Sequence, residues 1–266
     1  MLYSSVWLAG AAAAQTAATF QLWPAVGAAR SYRVVMLVFT ATLLVYNLDA
    51  VLPFKHLQPA GTSLRKAWQQ QHRRGLALLA GIAALVMAYF VLADGWWHYL
   101  PTLLPLAALA LLYSWPLGRW GALREVPLLK VFLIAGVWSA ITVGLPTLAH
   151  HRPLVGSVGL LAQRFCLVLA LAIVFDIRDL SLDRAAGTRT FPVVLGLGGA
   201  KAVALAFLAG AMTLGVERGA PPLGLLLTGL SAASVILLAH ERRGDYFFAL
   251  IADGVLLVPA MLYFLV

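Results

Sequence analysis

Long apolar runs, separated by short polar connections, constrain this chain more than any other feature of its sequence. Hydrophobic residues make up 62% of its 266 residues, and charged residues only 11%. A soluble globular domain carries about a quarter charged residues, so this composition excludes a soluble fold together with the disordered and disulfide-scaffold classes. Because lipid offers the backbone no hydrogen-bonding partners, apolar runs of this length are expected to form membrane-spanning helices.

Nine apolar runs are predicted as membrane spans, a number that fits the chain length because each span needs roughly 20 residues. They are Ser4–Val26, Val34–Leu52, Gly75–Ala93, Tyr99–Leu117, Pro127–Leu148, Val158–Phe175, Gly199–Val216, Pro222–Ala239 and Tyr246–Val266. We therefore predict an all-α, polytopic membrane protein in which residues 1–266 form a single domain.

Positive charge is unevenly distributed between the two sides of this predicted bundle. The net charge is +9, and most of the 19 Lys and Arg residues fall in alternate connections. The positive-inside rule places those connections in the cytoplasm. We predict a protein of a bacterial-type inner membrane with a cytoplasmic N-terminus and an outer C-terminus. Since orientation explains the basic excess, no nucleic-acid partner is expected.

Three of the ten acidic residues stand close together, at Asp176, Asp179 and Asp183. Steps of three and seven residues return close to the starting angle on a helix, so a continuous sixth helix would carry the three carboxylates on one face. Like charges at such spacing repel one another unless a cation lies among them. Mg²⁺ binds one or two carboxylates and completes its shell with water and substrate phosphates. A metal site is therefore favoured over a solvated acidic helix end.

The string D-I-R-D-L-S-L-D-R-A-A-G-T-R-T-F-P-V-V-L-G, from Asp176 to Gly196, resembles the second aspartate-rich motif of the UbiA superfamily of intramembrane prenyltransferases. The matching elements are D-x-x-D-x-x-x-D, D-R-x-x-G-x-R-T-x-P and the final L-G. The resemblance implies a bundle around a central cavity, with the active site on the cytoplasmic side. It also implies Mg²⁺-dependent transfer of a polyprenyl group from a polyprenyl diphosphate to a lipid-soluble, aromatic acceptor within the membrane lipids.

The same resemblance assigns roles to further residues. Asp176, Asp179 and Asp183 would bind metal, and Asn47 and Asp49 would join them as catalytic residues. The predicted diphosphate-binding residues are Lys55, Arg119, Arg178, Arg184, Arg189 and Tyr113, of which Tyr113 and Arg119 resemble a Tyr and basic pair of the family. The residues predicted to line the cavity around a carbocation are Tyr46, Trp138 and Asp253.

The first motif departs from the family pattern N-x-x-x-D-x-x-x-D. Asn47 matches its first position, but Val51 and Lys55 stand where the family has aspartates. Asp49 is the remaining nearby acid, and residues two apart on a helix do not share a face. Either the helix unwinds before Pro53, or one metal site is weak or absent. We expect one Mg²⁺ at the second motif, and Lys55 or a neighbouring arginine against the second half of the diphosphate.

Two alternatives remain open at this point. An intramembrane terpene cyclase of the same family would ionise a prenyl diphosphate and need no acceptor. A non-catalytic lipid-binding or transport derivative of the fold would not release diphosphate. Product analysis with donor alone, and Mg²⁺-dependent diphosphate release, would separate these possibilities.

Overall fold

The structure is a computed structural model, and it describes residues 3–22, 28–52, 64–93, 95–113, 115, 123 and 126–265. These residues form helices and no strand. The helices are α1 (Val6–Gln21), α2 (Ala28–Val51), α3 (Leu64–Gln71), α4 (Arg73–Ala93), α5 (Leu100–Leu112), α6 (Leu129–Ala149), α7 (Val158–Arg178), α8 (Leu180–Ala185), α9 (Phe191–Glu217), α10 (Pro222–Leu238) and α11 (Leu257–Leu265). The all-α class expected from the sequence is confirmed.

Five helical stretches are long and apolar enough to cross a membrane: Ser31–Val51, Arg73–Ala93, Leu129–Ala149, Leu154–Arg178 and Phe191–Glu217. In the ranges that the structure describes, each of the nine predicted spans overlaps an apolar helix. The helices outside the set of five are shorter, and the total of nine spans stays a prediction.

Helix α7 lies at the centre of the bundle. Every residue from Leu167 to Val174 is buried, and a helix that is apolar on all sides is expected to be surrounded on all sides. Accordingly, α7 packs against both α6 and α9. The acidic segment that follows α7 is therefore attached to the most deeply buried helix of the bundle.

Helix α4 shows the opposite pattern. Leu78, Leu85 and Leu92 are exposed and lie seven residues apart, so they form one stripe along the helix. The small side chains Ala80 and Ala83 are buried against the rest of the bundle. In a membrane, such an exposed leucine stripe is the face that meets lipid.

Helix α9 begins earlier than the predicted span at Gly199, because the Phe191-Pro192 pair starts a helix before the apolar run. Proline suits a first helical turn, where its missing N–H would have no intrahelical partner. Gly196 then kinks the helix with φ 69° and ψ 175°. That backbone region is open essentially to glycine alone, so the last residue of the motif sets the direction in which α9 enters the bundle.

Two π-helical segments interrupt the spans. Residues Ala140–Gly144 lie within α6, and residues Phe247–Ala252 precede Asp253 and α11. Such segments are rare in proteins, and those that occur are often found at functional sites.

The short helix α3 lies against Tyr3, near the N-terminus, and against Asp245, which precedes the last helical stretch. The backbone N–H of Arg65 donates to the Asp245 carboxylate at 3.0 Å. The Gln69 side chain donates to the Tyr3 carbonyl at 3.2 Å, and the Trp68 ring lies 5.9 Å from the Tyr3 ring. These contacts hold the N-terminal end of α3 next to the start of the last helical stretch.

Candidate active site

Asp176 lies in the last turn of α7 and is almost completely buried, with 1% of its surface exposed. The Lys130 ammonium, at the start of α6, donates to its Oδ1 at 2.7 Å. Helices α6 and α7 pack side by side, which brings the two residues together across 46 positions of sequence. The first acid of the motif is therefore neutralised by a cation of the chain itself.

Asp179 is also paired, but with its neighbour in sequence. The Arg178 guanidinium donates through Nε to Oδ1 at 2.9 Å and through Nη2 to Oδ2 at 2.8 Å. Burial disfavours ionisation of Asp179, but the hydrogen bonds from Arg178 outweigh it and hold the pKa of that carboxyl below its usual value. Asp179 is therefore ionised at neutral pH.

The condition under which the three acids would share one helical face, an unbroken sixth helix, is not met. Helix α7 ends at Arg178, Asp179 has φ −93° and ψ 9°, and α8 begins at Leu180. On a regular helix, adjacent side chains do not face each other. The bidentate contact between Arg178 and Asp179 occurs where the backbone departs from helical geometry. The three carboxylates thus sit on two helices joined by a bend.

Asp183 lies in α8 and is partly buried. Its Oδ2 has no hydrogen-bond partner among the described residues. Burial raises the pKa of the Asp183 carboxyl above its usual value. The segment that carries it is held by the backbone N–H of Thr188, which donates to the Asp183 carbonyl at 2.9 Å.

Arg178 joins this motif to the last helical stretch. Its guanidinium carbon lies 5.2 Å from the centre of the Phe175 ring and 5.8 Å from that of the Phe248 ring. Both distances allow cation–π attraction. A guanidinium held by two rings and one carboxylate has a fixed position, and it retains charge that can face a bound anion.

The predicted cavity-lining residues lie on α2, on α6 and just before α11. The Trp138 indole N–H donates to the Tyr46 hydroxyl at 3.2 Å, which joins α6 to α2. Asp253 is buried and lies within electrostatic range of Arg65 and Arg178. Tyr46, Trp138 and Asp253 thus occupy neighbouring positions around the acidic segment, while their contact with a carbocation stays a prediction.

The first-motif residues lie on a regular helix, because α2 continues to Val51. Asn47 is completely buried, and its amide donates to the Leu43 carbonyl at 2.7 Å. Its Oδ1 has no hydrogen-bond partner in the described part of the chain. Asp49 is partly buried and two residues further on, so it points to a different side of α2.

The predicted diphosphate-binding residues have different surroundings. Tyr113 follows α5 and lies within electrostatic range of Lys130 and Asp176. Arg184 and Arg189 are exposed, and their role stays a prediction. Two further residues lie outside the described residues, namely Lys55 and Arg119.

Sequence reasoning missed two basic residues of this cluster. Lys130 was grouped with the cytoplasmic charges, although a lysine inside a predicted span is costly and therefore informative. Arg65 was missed for the same reason, because it stands among several other basic residues of its connection. Burial, and to a lesser extent the charge of Arg178, lowers the pKa of Arg65, so the two guanidinium groups lie within electrostatic range of each other.

The chemistry of the donor set suits one Mg²⁺. Carboxylate oxygens are its preferred ligands, and Asp183 has an Oδ2 without a partner. Asp176 and Asp179 already have cationic partners. No three His, Cys, Asp or Glu side chains among the described residues lie close enough together to hold one ion, so a bound ion would need these pairs to rearrange.

Comparison with known proteins identifies the fold. No protein-family model and no curated protein matches the chain. Among solved structures, a UbiA homologue from Aeropyrum pernix K1 in its apo form is similar, with 18% identity over 98% of each chain and a TM-score of 0.61. A UbiA homologue from Archaeoglobus fulgidus is 14% identical over 100% of this chain and 98% of its own, with a TM-score of 0.62.

A structure of digeranylgeranylglyceryl phosphate synthase in membranes is also similar, with 12% identity over 99% of this chain and 98% of its own, and a TM-score of 0.59. These similarities extend over nearly the whole length of all the chains. The chain is an integral membrane protein with the fold of the UbiA homologues, as the resemblance of its acidic motif implied.

Proposed function

We propose that this chain, which has the fold of the UbiA homologues, is a single-domain intramembrane prenyltransferase that transfers a polyprenyl group from a polyprenyl diphosphate to a lipid-soluble, aromatic acceptor. The observation that carries the proposal is the cluster of acids and cations at the end of the central helix α7, where Asp176, Asp179 and Asp183 lie among Lys130 and Arg178. Charged groups at the end of a membrane span are functional candidates by default.

The reaction begins with heterolysis of the bond between the allylic carbon and the diphosphate oxygen. The electron pair leaves with the diphosphate, and the allylic cation that remains is attacked by the acceptor, which then loses a proton. Negative charge grows on the leaving group in this step, so fixed cations near the diphosphate lower the barrier. Arg178, Arg184, Arg189, Lys55, Arg119 and Tyr113 are the proposed diphosphate-binding residues.

Mg²⁺ would be held by Asp176, Asp179 and Asp183 and would supply further neutralisation of the diphosphate charge. Asn47 and Asp49 would contribute from α2. The aromatic rings of Tyr46 and Trp138 would face the allylic cation, because aromatic faces attract positive charge. The apolar bundle would keep water from the cation.

We also propose that the site opens to the cytoplasm, with the N-terminus on that side and the C-terminus outside. The basic connections support this orientation through the positive-inside rule. Fusing a topology reporter to each end of the chain would test this orientation. A signal showing that the N-terminus lies on the outer side of the membrane would contradict it.

The activity is tested by incubating the purified protein with prenyl diphosphates of several chain lengths, Mg²⁺ and extracted membrane lipids. Diphosphate release is measured, and the lipids are analysed by mass spectrometry. We expect Mg²⁺-dependent release together with a prenylated acceptor. Asp179→Ala provides the inactive control, since it removes an ionised acid of the motif.

The same assay separates the alternatives. A cyclised hydrocarbon formed from donor alone would identify a terpene cyclase. Absence of diphosphate release from every donor would refute the enzymatic proposal and favour a lipid-binding or transport protein.

A further inference from the structure

The aspartate-rich segment contains its own cations. Asp176 bonds Lys130 at 2.7 Å, and Asp179 bonds Arg178 at 2.8 Å and 2.9 Å. Two of the three acidic charges are therefore balanced before any ligand arrives.

The two cations differ in what holds them. Arg178 is adjacent in sequence to its acid and is fixed by two phenylalanine rings. Lys130 comes from another helix, and its side chain remains 20% exposed, whereas that of Asp176 is 2% exposed. Lys130 is thus the more exposed member of the pair.

The influence of Lys130 extends beyond Asp176. It lies within electrostatic range of Asp179 and Asp183 as well. A divalent cation approaching these acids therefore meets a fixed positive charge and must compete with it for Asp176. Repulsion between cations a few ångströms apart in a partly buried site amounts to several kcal/mol.

We propose that Lys130 is a positioning residue that competes with a metal ion for Asp176, so that Asp176 joins Asp179 and Asp183 as a metal ligand only when its pair with Lys130 opens. The inference deepens the proposed function. The ammonium holds Asp176 in the last turn of α7, and its remaining N–H groups can donate to an anion such as diphosphate.

The test measures Mn²⁺ binding to the purified, substrate-free protein by the loss of the electron paramagnetic resonance signal of the free ion. Lys130→Met removes the charge and keeps an unbranched apolar side chain. We expect it to bind Mn²⁺ about tenfold tighter or more than the wild type, since a competing charge is lost and a carboxylate is released. Lys130→Arg keeps the charge and should bind as the wild type does.

Two further variants make the result specific. In Lys130→Met with Asp176→Asn, both partners of the pair are neutral, and Mn²⁺ affinity should return to the wild-type value. This variant also guards against misfolding, because replacing both partners of a buried ion pair is well tolerated. Lys201→Met is the matched control, since Lys201 bonds the Leu237 carbonyl at 2.6 Å on an exposed surface.

Equal or weaker Mn²⁺ binding by Lys130→Met would overturn the inference, as would tighter binding by Lys130→Arg or by the doubly substituted protein. Because no prenyl diphosphate is present, these outcomes do not depend on turnover. Failure of diphosphate release by the wild type would refute the proposed function and leave the metal-binding result as it stands.

Discussion

The ion pair between Lys130 and Asp176 should make a large and measurable contribution to stability. The perturbation is Asp176→Asn, which removes the negative charge with almost no change in volume. At the observed separation of 2.7 Å, Coulomb's law with an effective dielectric constant of about 20 gives an attraction of roughly 6 kcal/mol. Desolvation of both groups offsets part of this attraction.

Breaking a buried pair by removing one partner typically costs about 3–5 kcal/mol. Lys130 retains 20% exposure of its side chain, so water can reach the ammonium once its partner is lost. We therefore expect the free energy of unfolding of Asp176→Asn to fall by about 3 kcal/mol, the lower end of that range. Adding Lys130→Met should restore at least half of the loss, because no unpaired charge then remains.

The assay is reversible unfolding in mixed micelles, with helix content followed by circular dichroism during titration with a denaturing detergent. Glu217→Gln, an exposed acid at the end of α9, is the control and should change stability by less than about 0.5 kcal/mol. Additive losses in the doubly substituted protein would refute the reasoning, because two residues in contact should show an interaction energy.

Three other sets of substitutions give further tests. Asp179→Ala should abolish diphosphate release, whereas Asp253→Asn, in the cavity wall, should leave part of it; full activity of Asp179→Ala would contradict the catalytic role. Gly196→Ala should lower the unfolding free energy by about 1–3 kcal/mol, because alanine is strained at that kink, and an unchanged thermal midpoint would argue against the kink. Trp138→Phe and Tyr46→Phe should each destabilise by about 1 kcal/mol through loss of their shared hydrogen bond. Thermal unfolding of the double variant should show a loss smaller than the sum, and full additivity would disprove the bond.

The positions of the helices could be predicted because they depend on local chemistry. The run starting at Val158 was predicted as a span to Phe175, and α7 begins at Val158 and ends at Arg178. Lipid requires such a run to satisfy its backbone hydrogen bonds internally, and a helix does this whatever surrounds it.

The details of the acidic site depended on contacts that one sequence does not display. The chain bends at Asp179, where that residue pairs with Arg178. The spacing of the acids does not predict this bend. The partner of Asp176 lies on another helix, so finding Lys130 requires the packing of α6 against α7. The clue that was present, a lysine just inside an apolar run, was masked by the number of basic residues nearby.

The π-helical segment before Asp253 determines where that carboxylate points. A π turn contains one residue more than an α turn, so it displaces every later side chain by about 100° around the helix axis. Asp253 is buried near Arg65 and Arg178; a regular helix would turn it away from them. Deleting one residue of this segment is therefore expected to turn the carboxylate away from both guanidinium groups and leave it misdirected within the membrane.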